Sequence, residues 1–311
     1  MRERRDDLGD IVVMGSLVMD RKYFSAGTHT AAAGRRTQAV WSVERHHGGV
    51  GRNVAVNLAR LGARPTFVGL SGFGPDAEAL EDELTRLGVR LQVLRTDGGV
   101  GRFDVTLDGL RRQITSRIAL PDPAAAHALR GPALDTRVAR ARAVVAEGGL
   151  DEDLLTWTSH QARRHGALMC CMPTRQADFG PRPHLLPLYD VLLLNAREAR
   201  HLLCRAGAPA EQAARLRHLG PRVVVVTSGA DGAAVASAER DEVLFLPAEP
   251  GACADDTGAG DALAAAFVLG LSTGASPRAA LAQGLRAARV TIGCRQSTCR
   301  AVSAASGLKA R

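Results

Sequence analysis

Lysine is almost missing from this chain of 311 residues: Lys22 and Lys309 stand alone, and the other thirty-eight basic side chains are arginine. Against 32 acidic residues the formal surplus is +8, enough to raise nucleic acid as a partner. A nucleic-acid footprint gathers its basic residues on one face or stripe. These arginines are instead strewn among alanines along the whole chain, which reads as compositional bias, so no nucleic acid is expected. Long apolar runs are lacking too. None reaches the roughly eighteen residues of a spanning helix, and the charged stretch Met1 to Asp10 runs straight into an apolar strand with no signal-like core. No membrane partner is expected. Cysteine is sparse, at positions 170, 171, 204, 253, 294 and 299, with neither a Cys-x-x-Cys pair nor a Cys/His series. That argues against a disulfide framework and a structural zinc, and leaves a reduced, cytoplasmic protein as the expectation.

What the chain does have is rhythm. Short apolar runs at Ile11–Leu17, Thr66–Leu70, Ala143–Ala146, Ala167–Cys171, Val191–Leu194 and Val223–Thr227 alternate with helical patterns at Asn53–Leu61, Asp76–Leu87, Asp151–Arg164, Ala196–Cys204 and Glu211–Leu219. Strand and helix in alternation predict an α/β fold, a doubly wound, mostly parallel sheet with helices on both faces. Two stretches break the pattern, at about 20–47 and 91–120, the second with Asp97-Gly98-Gly99 and Asp108-Gly109 as turn signals. They are expected to form a small β-sheet lid, or else a solvent-facing decoration. The expected domain runs over 9–302, with 303–311 as a flexible tail.

Three motifs carry chemistry. His47-Gly48-Gly49-Val50-Gly51-Arg52-Asn53 opens a helix. Its glycines permit close backbone approach to a ligand, and Asn53 offers a donor and an acceptor to hydroxyls; a tight turn with Asn53 as helix cap is the alternative. Asp255-Asp256-Thr257-Gly258-Ala259-Gly260-Asp261 precedes an apolar helix. Its small residues leave backbone N–H groups to surround an anion at a helix N-terminus, with Asp261 beside them to accept a proton. A dipole-compensating cap accounts for the aspartate but not for glycines that weaken a helix. Asn195-Ala196-Arg197-Glu198 follows a strand directly. It suits a capping box, or a Glu198 that holds a water of Mg²⁺. Asp20 and the strand end Thr227-Ser228-Gly229-Ala230-Asp231-Gly232 are weaker candidates, for a sugar diol and a nucleotide, with plain turns as the alternative. His46 and His47 read as ordinary loop residues.

Together these residues resemble the ribokinase-like (PfkB) family of carbohydrate and nucleoside kinases, over Ile11 to about Val302. Both signatures are present, Gly-Gly-x-Gly-x-Asn at Gly48–Asn53 and Thr-Gly-Ala-Gly-Asp at Thr257–Asp261, with Asn195 and Glu198 between them. The resemblance implies ATP as donor, Mg²⁺ reached through water by Glu198, and a monovalent cation such as K⁺ as a further candidate. It implies Asp261 as base and Gly258, Ala259 and Gly260 as the anion hole. Asn195, Glu198, Thr227, Gly229, Gly232 and Thr257 are the expected nucleotide contacts, and a homodimer is a candidate assembly. Val50 and Arg52 within the first signature, and the opening Met14–Asp20, are similar to pseudouridine kinases. That similarity implies that Asp20, Gly49 and Asn53 hold ribose hydroxyls and present the 5′-hydroxyl to Asp261, as in the conversion of pseudouridine to its 5′-phosphate. Another sugar or nucleoside kinase, or a non-catalytic sensor of the same fold, are the alternatives. Three departures stand out: Val50 where ribokinases tend to carry Lys, Cys171-Met172-Pro173 where relatives usually end a strand in aspartate, and Leu194 in place of the common proline.

Overall fold

The computed structural model describes residues 10–30, 36–110, 112–174, 182–239 and 241–303. The tail expected at 303–311 therefore lies, beyond Ser303, outside the described residues, as does the second lysine.

Nine strands form the large sheet: β1 (Asp10–Ser16), β4 (Arg64–Ser71), β5 (Arg90–Arg95), β8 (Ala141–Glu147), β9 (Leu168–Met172), β10 (Val191–Asn195), β11 (Val223–Thr227), β12 (Gly232–Ser237) and β13 (Glu242–Pro247). Their order is β13-β12-β11-β10-β9-β8-β1-β4-β5. All pairs are parallel except β11–β12 and β12–β13, which close one edge as a meander. Continuous apolar runs are what a sheet covered on both faces demands. In β1, Ile11 and Val13 enter one core while Val12 and Met14 enter the other. The four valines of β11 are likewise shared between the two cores, Val223 and Val225 on one side, Val224 and Val226 on the other.

The first core lies under α1 (Val50–Arg60), α2 (Pro75–Arg86), α7 (Ala259–Ser272) and α8 (Pro277–Thr291), the second under α3 (Pro132–Arg140), α4 (Glu152–His165), α5 (Ala196–Leu202) and α6 (Pro209–Arg217). Local signals set the ends. Asp151 caps α4 by accepting from Leu154 N at 2.8 Å, and Gly166 ends it in the left-handed region at φ 72°. Helix α7 is apolar on all sides because it is buried on all sides: every residue from Asp261 to Gly270 is buried.

The two stretches that break the rhythm supply a separate small sheet of order β3-β2-β6-β7, made of β2 (Val18–Thr30), β3 (Arg36–Gly48), β6 (Gly101–Leu107) and β7 (Gln113–Ala119). The boundary expected at 91 is corrected: Arg90–Arg95 is the edge strand of the large sheet, parallel to β4, and the small sheet resumes after the Asp97-Gly98-Gly99 turn. As the edge strand, Arg90–Arg95 is only partly buried and lacks the continuous apolar run of the inner strands, so pattern alone groups it with the small sheet. His46 and His47 are likewise strand residues, paired with Asp20 and Met19. The expectation of wholly reduced cysteines is also corrected, since Cys294 and Cys299 are joined by a disulfide that closes a short loop after α8. Among the described residues no helix is long and apolar enough to cross a membrane.

Candidate active site

The small and the large sheet meet where both glycine motifs lie. β2 leaves β1 after the single residue Leu17, and β3 returns directly into α1 through Gly49. Gly49 adopts φ 99°, and a Cβ there would stand 2.2 Å from the Ser16 carbonyl oxygen. Gly48 is as constrained: a Cβ would lie 2.3 Å from Asp20 Oδ2. Only glycine lets Asp20 lie over this strand end. Burial pushes the Asp20 carboxyl up to about 6, with His46, Lys22 and Arg52 opposing the shift.

Asn53 is not the cap of α1, which is Gly49, but sits one turn in, 5% exposed. Its Nδ2 donates to Asp261 Oδ2 at 2.8 Å, joining the two signatures across 208 residues of chain. Its Oδ1 accepts from Arg52 Nη1 at 2.9 Å and from Ser297 Oγ at 3.4 Å. Arg52 in turn is buried and ion-paired with Glu83 of α2, which also meets His47.

Asp261 lies in the first turn of α7, behind Gly258 at φ 81°. A Cβ on Gly258 would stand 1.9 Å from the Ser297 carbonyl oxygen, so the loop after α8 packs against this helix start. Ala259 N donates to Asp256 O at 3.2 Å and Thr257 N to Asp255 Oδ1 at 2.9 Å. The amides of Gly260 and Asp261 fall in the first turn, where no carbonyl one turn back exists to receive them. Burial pushes the Asp261 carboxyl up to about 7; the Asn53 hydrogen bond pulls it down, and the nearby Glu147 and Glu198 carboxylates push it further up.

Asn195 and Glu198 form a complete capping box: Asn195 Oδ1 accepts from Glu198 N and Arg197 N, and Glu198 Oε2 accepts from Asn195 N at 2.9 Å. Both also line a cavity of about 140 Å³ with Val50, Thr227, Gly260 and Asp261, so the capping and the ligand readings of this motif coexist. Met172 and Pro173, the departure from the relatives' aspartate, form part of the same wall. Gly229 and Gly232 do not line it; they flank the single turn between β11 and β12, where a Cβ on Gly232 would stand 2.1 Å from Leu246 O. A hard cation that keeps most of its waters needs few protein oxygens, and Glu198 with the cavity's oxygen donors fits that demand. Among the described residues no group of three or more His, Cys, Asp or Glu side chains is placed to hold a metal by itself.

Two residues were missed in the sequence. Glu147, at the carboxyl end of β8 and 6% exposed, accepts from Gly51 N at 2.6 Å, Ser16 N at 3.0 Å and Ser16 Oγ at 3.2 Å. A carboxylate ending a buried strand just before Gly148-Gly149 was the available signal. Lys22 reaches from the small sheet to Asp255 at 3.4 Å, so the cation beside the Thr257–Asp261 loop is a lysine, in a chain that has two.

The pfkB family carbohydrate kinase model matches residues 8–302. The chain belongs to that family. Ribokinase from Bacillus subtilis is 26% identical over 91% of this chain and 92% of its own. The bifunctional protein HldE of Photobacterium profundum is 35% identical over 85 residues, 27% of this chain, and the match spans only 18% of that protein. Among solved structures, Arabidopsis thaliana ribokinase complexed with ribose and ATP superposes with a TM-score of 0.81 at 20% identity, over 97% of this chain and 99% of that one. A Burkholderia thailandensis nucleoside kinase in complex with inosine gives 0.74 at 20% identity, over 96% and 94%. This PfkB chain thus carries the ribokinase-like fold, with a small second sheet beside the large one.

Proposed function

We propose that this PfkB kinase transfers a phosphoryl group from ATP to the 5′-hydroxyl of a ribosyl substrate, with pseudouridine the first substrate to test. The observation that carries the reading is the 2.8 Å bond between Asn53 and Asp261, which holds a hydroxyl-reading amide against a carboxyl titrating near neutrality. Above about pH 7 Asp261 is ionised and accepts the proton of the attacking hydroxyl. Asn53, Asp20 and the Gly49 turn hold and orient the sugar. Of the Gly258–Gly260 anion hole, Ala259 N is held by Asp256 O, so the Gly260 amide, with that of Asp261 beside it at the positive end of α7, faces the anionic group in transfer.

Asn195, Glu198, Thr227 and Thr257 are the proposed nucleotide contacts of this chain, and Glu198 would hold a water of Mg²⁺. When bound with the nucleotide, that ion neutralises charge on the phosphates. Gly229 and Gly232 serve this side by shaping the turn after Thr227. The lid excludes water from the transfer, and Lys22 ties it to the Asp255 loop. Relatives whose names or complexes involve ribose, ATP and inosine support a ribosyl acceptor; Val50 and Arg52 in the first signature favour pseudouridine within that class.

The deciding experiment supplies ATP with pseudouridine, uridine, ribose and fructose separately, and reads ADP and product mass. A 5′-phosphate formed fastest from pseudouridine is expected. Turnover of a hexose with none of pseudouridine overturns the substrate, and nucleoside binding without any ATP turnover overturns catalysis in favour of a sensor.

A further inference from the structure

The disulfide after α8 closes a loop that touches both signature motifs. Cys294 and Cys299 are separated by 5 in sequence, and between them Ser297 and Thr298 are buried. Ser297 Oγ donates to Asn53 Oδ1 at 3.4 Å and to His47 O at 3.1 Å. The carbonyl of the same residue backs the start of α7, where it leaves no room for a side chain on Gly258. Just upstream, Ile292 O accepts from Ala254 N at 2.7 Å and Asp255 N at 3.4 Å, tying the approach to the Thr257–Asp261 motif to the end of α8. A cross-link over so short a loop adds little global stability, because the entropy it removes from the unfolded chain grows with the length closed. Its effect is local: it restricts where Ser297 can sit. The two sulfurs differ in access, since Cys294 is partly exposed and Cys299 is buried. A dithiol in solution therefore meets the bond at Cys294.

We propose that the Cys294–Cys299 bond is a reversible redox switch on the kinase centre, with Ser297 the positioning residue through which it acts. The link to turnover rests on the function proposed above. In the reducing step a thiolate of a dithiol attacks Cys294 Sγ, the bond between the two cysteines breaks, and Cys299 leaves as a thiolate that takes up a proton. The second thiol of the reductant then attacks the mixed disulfide. Cys294 is released and protonated, and the reductant departs as its own disulfide, having passed two electrons and two protons to the protein. With the loop open, Ser297 is no longer held against Asn53. Arg52 still donates to Asn53 Oδ1, but the Asn53 bond to Asp261, which holds that carboxyl down, is less firmly placed. The other charged groups acting on Asp261 are Arg52, Glu147 and Glu198. They lie on α1, β8 and α5 rather than on the loop, so reduction leaves them where they are.

The test equilibrates the full wild-type chain in mixtures of reduced and oxidised dithiothreitol, alkylates the free thiols for mass analysis, and follows turnover against pH. Reduction is expected to expose Cys294 and Cys299 to alkylation and to lower kcat/KM about two- to tenfold, the worth of one hydrogen bond. The acid limb should move above about 7, and reoxidation should restore both. Cys204→Ser/Cys253→Ser, which removes the exposed free thiols, should respond as the wild type does. Ser297→Ala keeps the disulfide, and is expected to show the lower kcat/KM and the moved limb in both redox states. Cys294→Ser/Cys299→Ser should behave as the reduced protein; the wild-type titration needs no variant and stands if that one does not fold. A bond that never forms under oxidised dithiothreitol overturns the switch, as does turnover that is the same in both states. A melting temperature that falls with activity while the limb stays fixed overturns it too, leaving a structural staple. Hydrogen exchange separates this failure from that of the kinase reading: faster exchange at both 294–299 and 254–261 on reduction, in a chain that turns over no acceptor, keeps the switch and rejects the kinase.

Discussion

Two cavities near the Asn53–Asp261 pair, one of about 140 Å³ and one of about 220 Å³, have walls of opposite charge. One is walled by Asp261 and Glu198 among apolar groups, the other by four arginines and Glu83. The Asn53 amide bonds to the walls of both, giving its N–H to Asp261 and its oxygen to Arg52 and Ser297. No other side chain of this size satisfies both neighbours: aspartate would set a second carboxylate on Asp261, and leucine would leave a buried donor and acceptor unpaired. The acidic side is tuned by burial, which raises a carboxyl to about 7. The basic side is tuned by pairing, since the guanidinium of Arg52 has Glu83 to meet it. Reactivity is stored where a charge lacks a counter-ion, and rigidity where it has one.

Asp261→Asn breaks the acidic side most severely. Turnover is expected to fall by about 10²- to 10⁴-fold, the usual worth of a general base. Stability should move the other way above neutrality. A carboxyl raised to about 7 in the fold and lower when unfolded makes the native state bind the extra proton between these values. Stability therefore declines as pH rises through that window, while turnover climbs with an acid limb near 7. Thermal scans and rate–pH profiles of the two proteins check both signs; a variant that kept its turnover would remove Asp261 from catalysis.

Glu83→Gln breaks the basic side. It strands the buried Arg52 charge, at an expected cost of about 3 kcal/mol in denaturant unfolding. The opposite linkage sign applies to Glu83. His47 and Arg52 outweigh the burial that opposes them and hold its carboxyl down to about 2. Its contribution is present above the ordinary carboxylate range and lost as pH falls through about 2, so acid unfolding of the wild type should steepen there and be absent from the variant.

Asn53→Leu tests the amide that bonds to both walls. Losing a hydrogen bond to a charged group costs about 1.5–3 kcal/mol, read as a drop of roughly ten- to a hundredfold in kcat/KM. Because that bond lowers the Asp261 pKa, the acid limb should also move to higher pH, and an unmoved limb would detach Asn53 from the base. Lys22→Met is the mildest change. Its partly exposed pair with Asp255 is worth under about 1 kcal/mol of stability, so a rise in KM for nucleotide or acceptor without loss of melting temperature is expected.

Much of this was legible because local chemistry and global fold agree. The β11 valines, the Gly49 turn and the Asn195–Glu198 box each announce a strand end or helix start without reference to anything distant. The Arg90–Arg95 strand reads like part of the small sheet because, at the edge, it lacks a continuous apolar run, and only pairing with β4 places it. Glu147 escaped notice because a lone acid after a strand is ordinary until three donors from Ser16 and Gly51 converge on it. The Cys294–Cys299 bond escaped because a spacing of five matches no metal or redox pattern.

By itself the sequence determined the alternation of strand and helix and the two glycine-led helix starts, because hydrophobic period and positive-φ glycine act within a few residues. The tertiary structure decided which charges meet. Arg45, Arg52, Arg60 and Arg300 look scattered along the chain and yet line one cavity, since strand, helix and loop bring them there from distant positions. Asn53 and Asp261, 208 residues apart, become one hydrogen-bonded unit for the same reason. Burial that only a finished core can impose then sets the pKa of the pair.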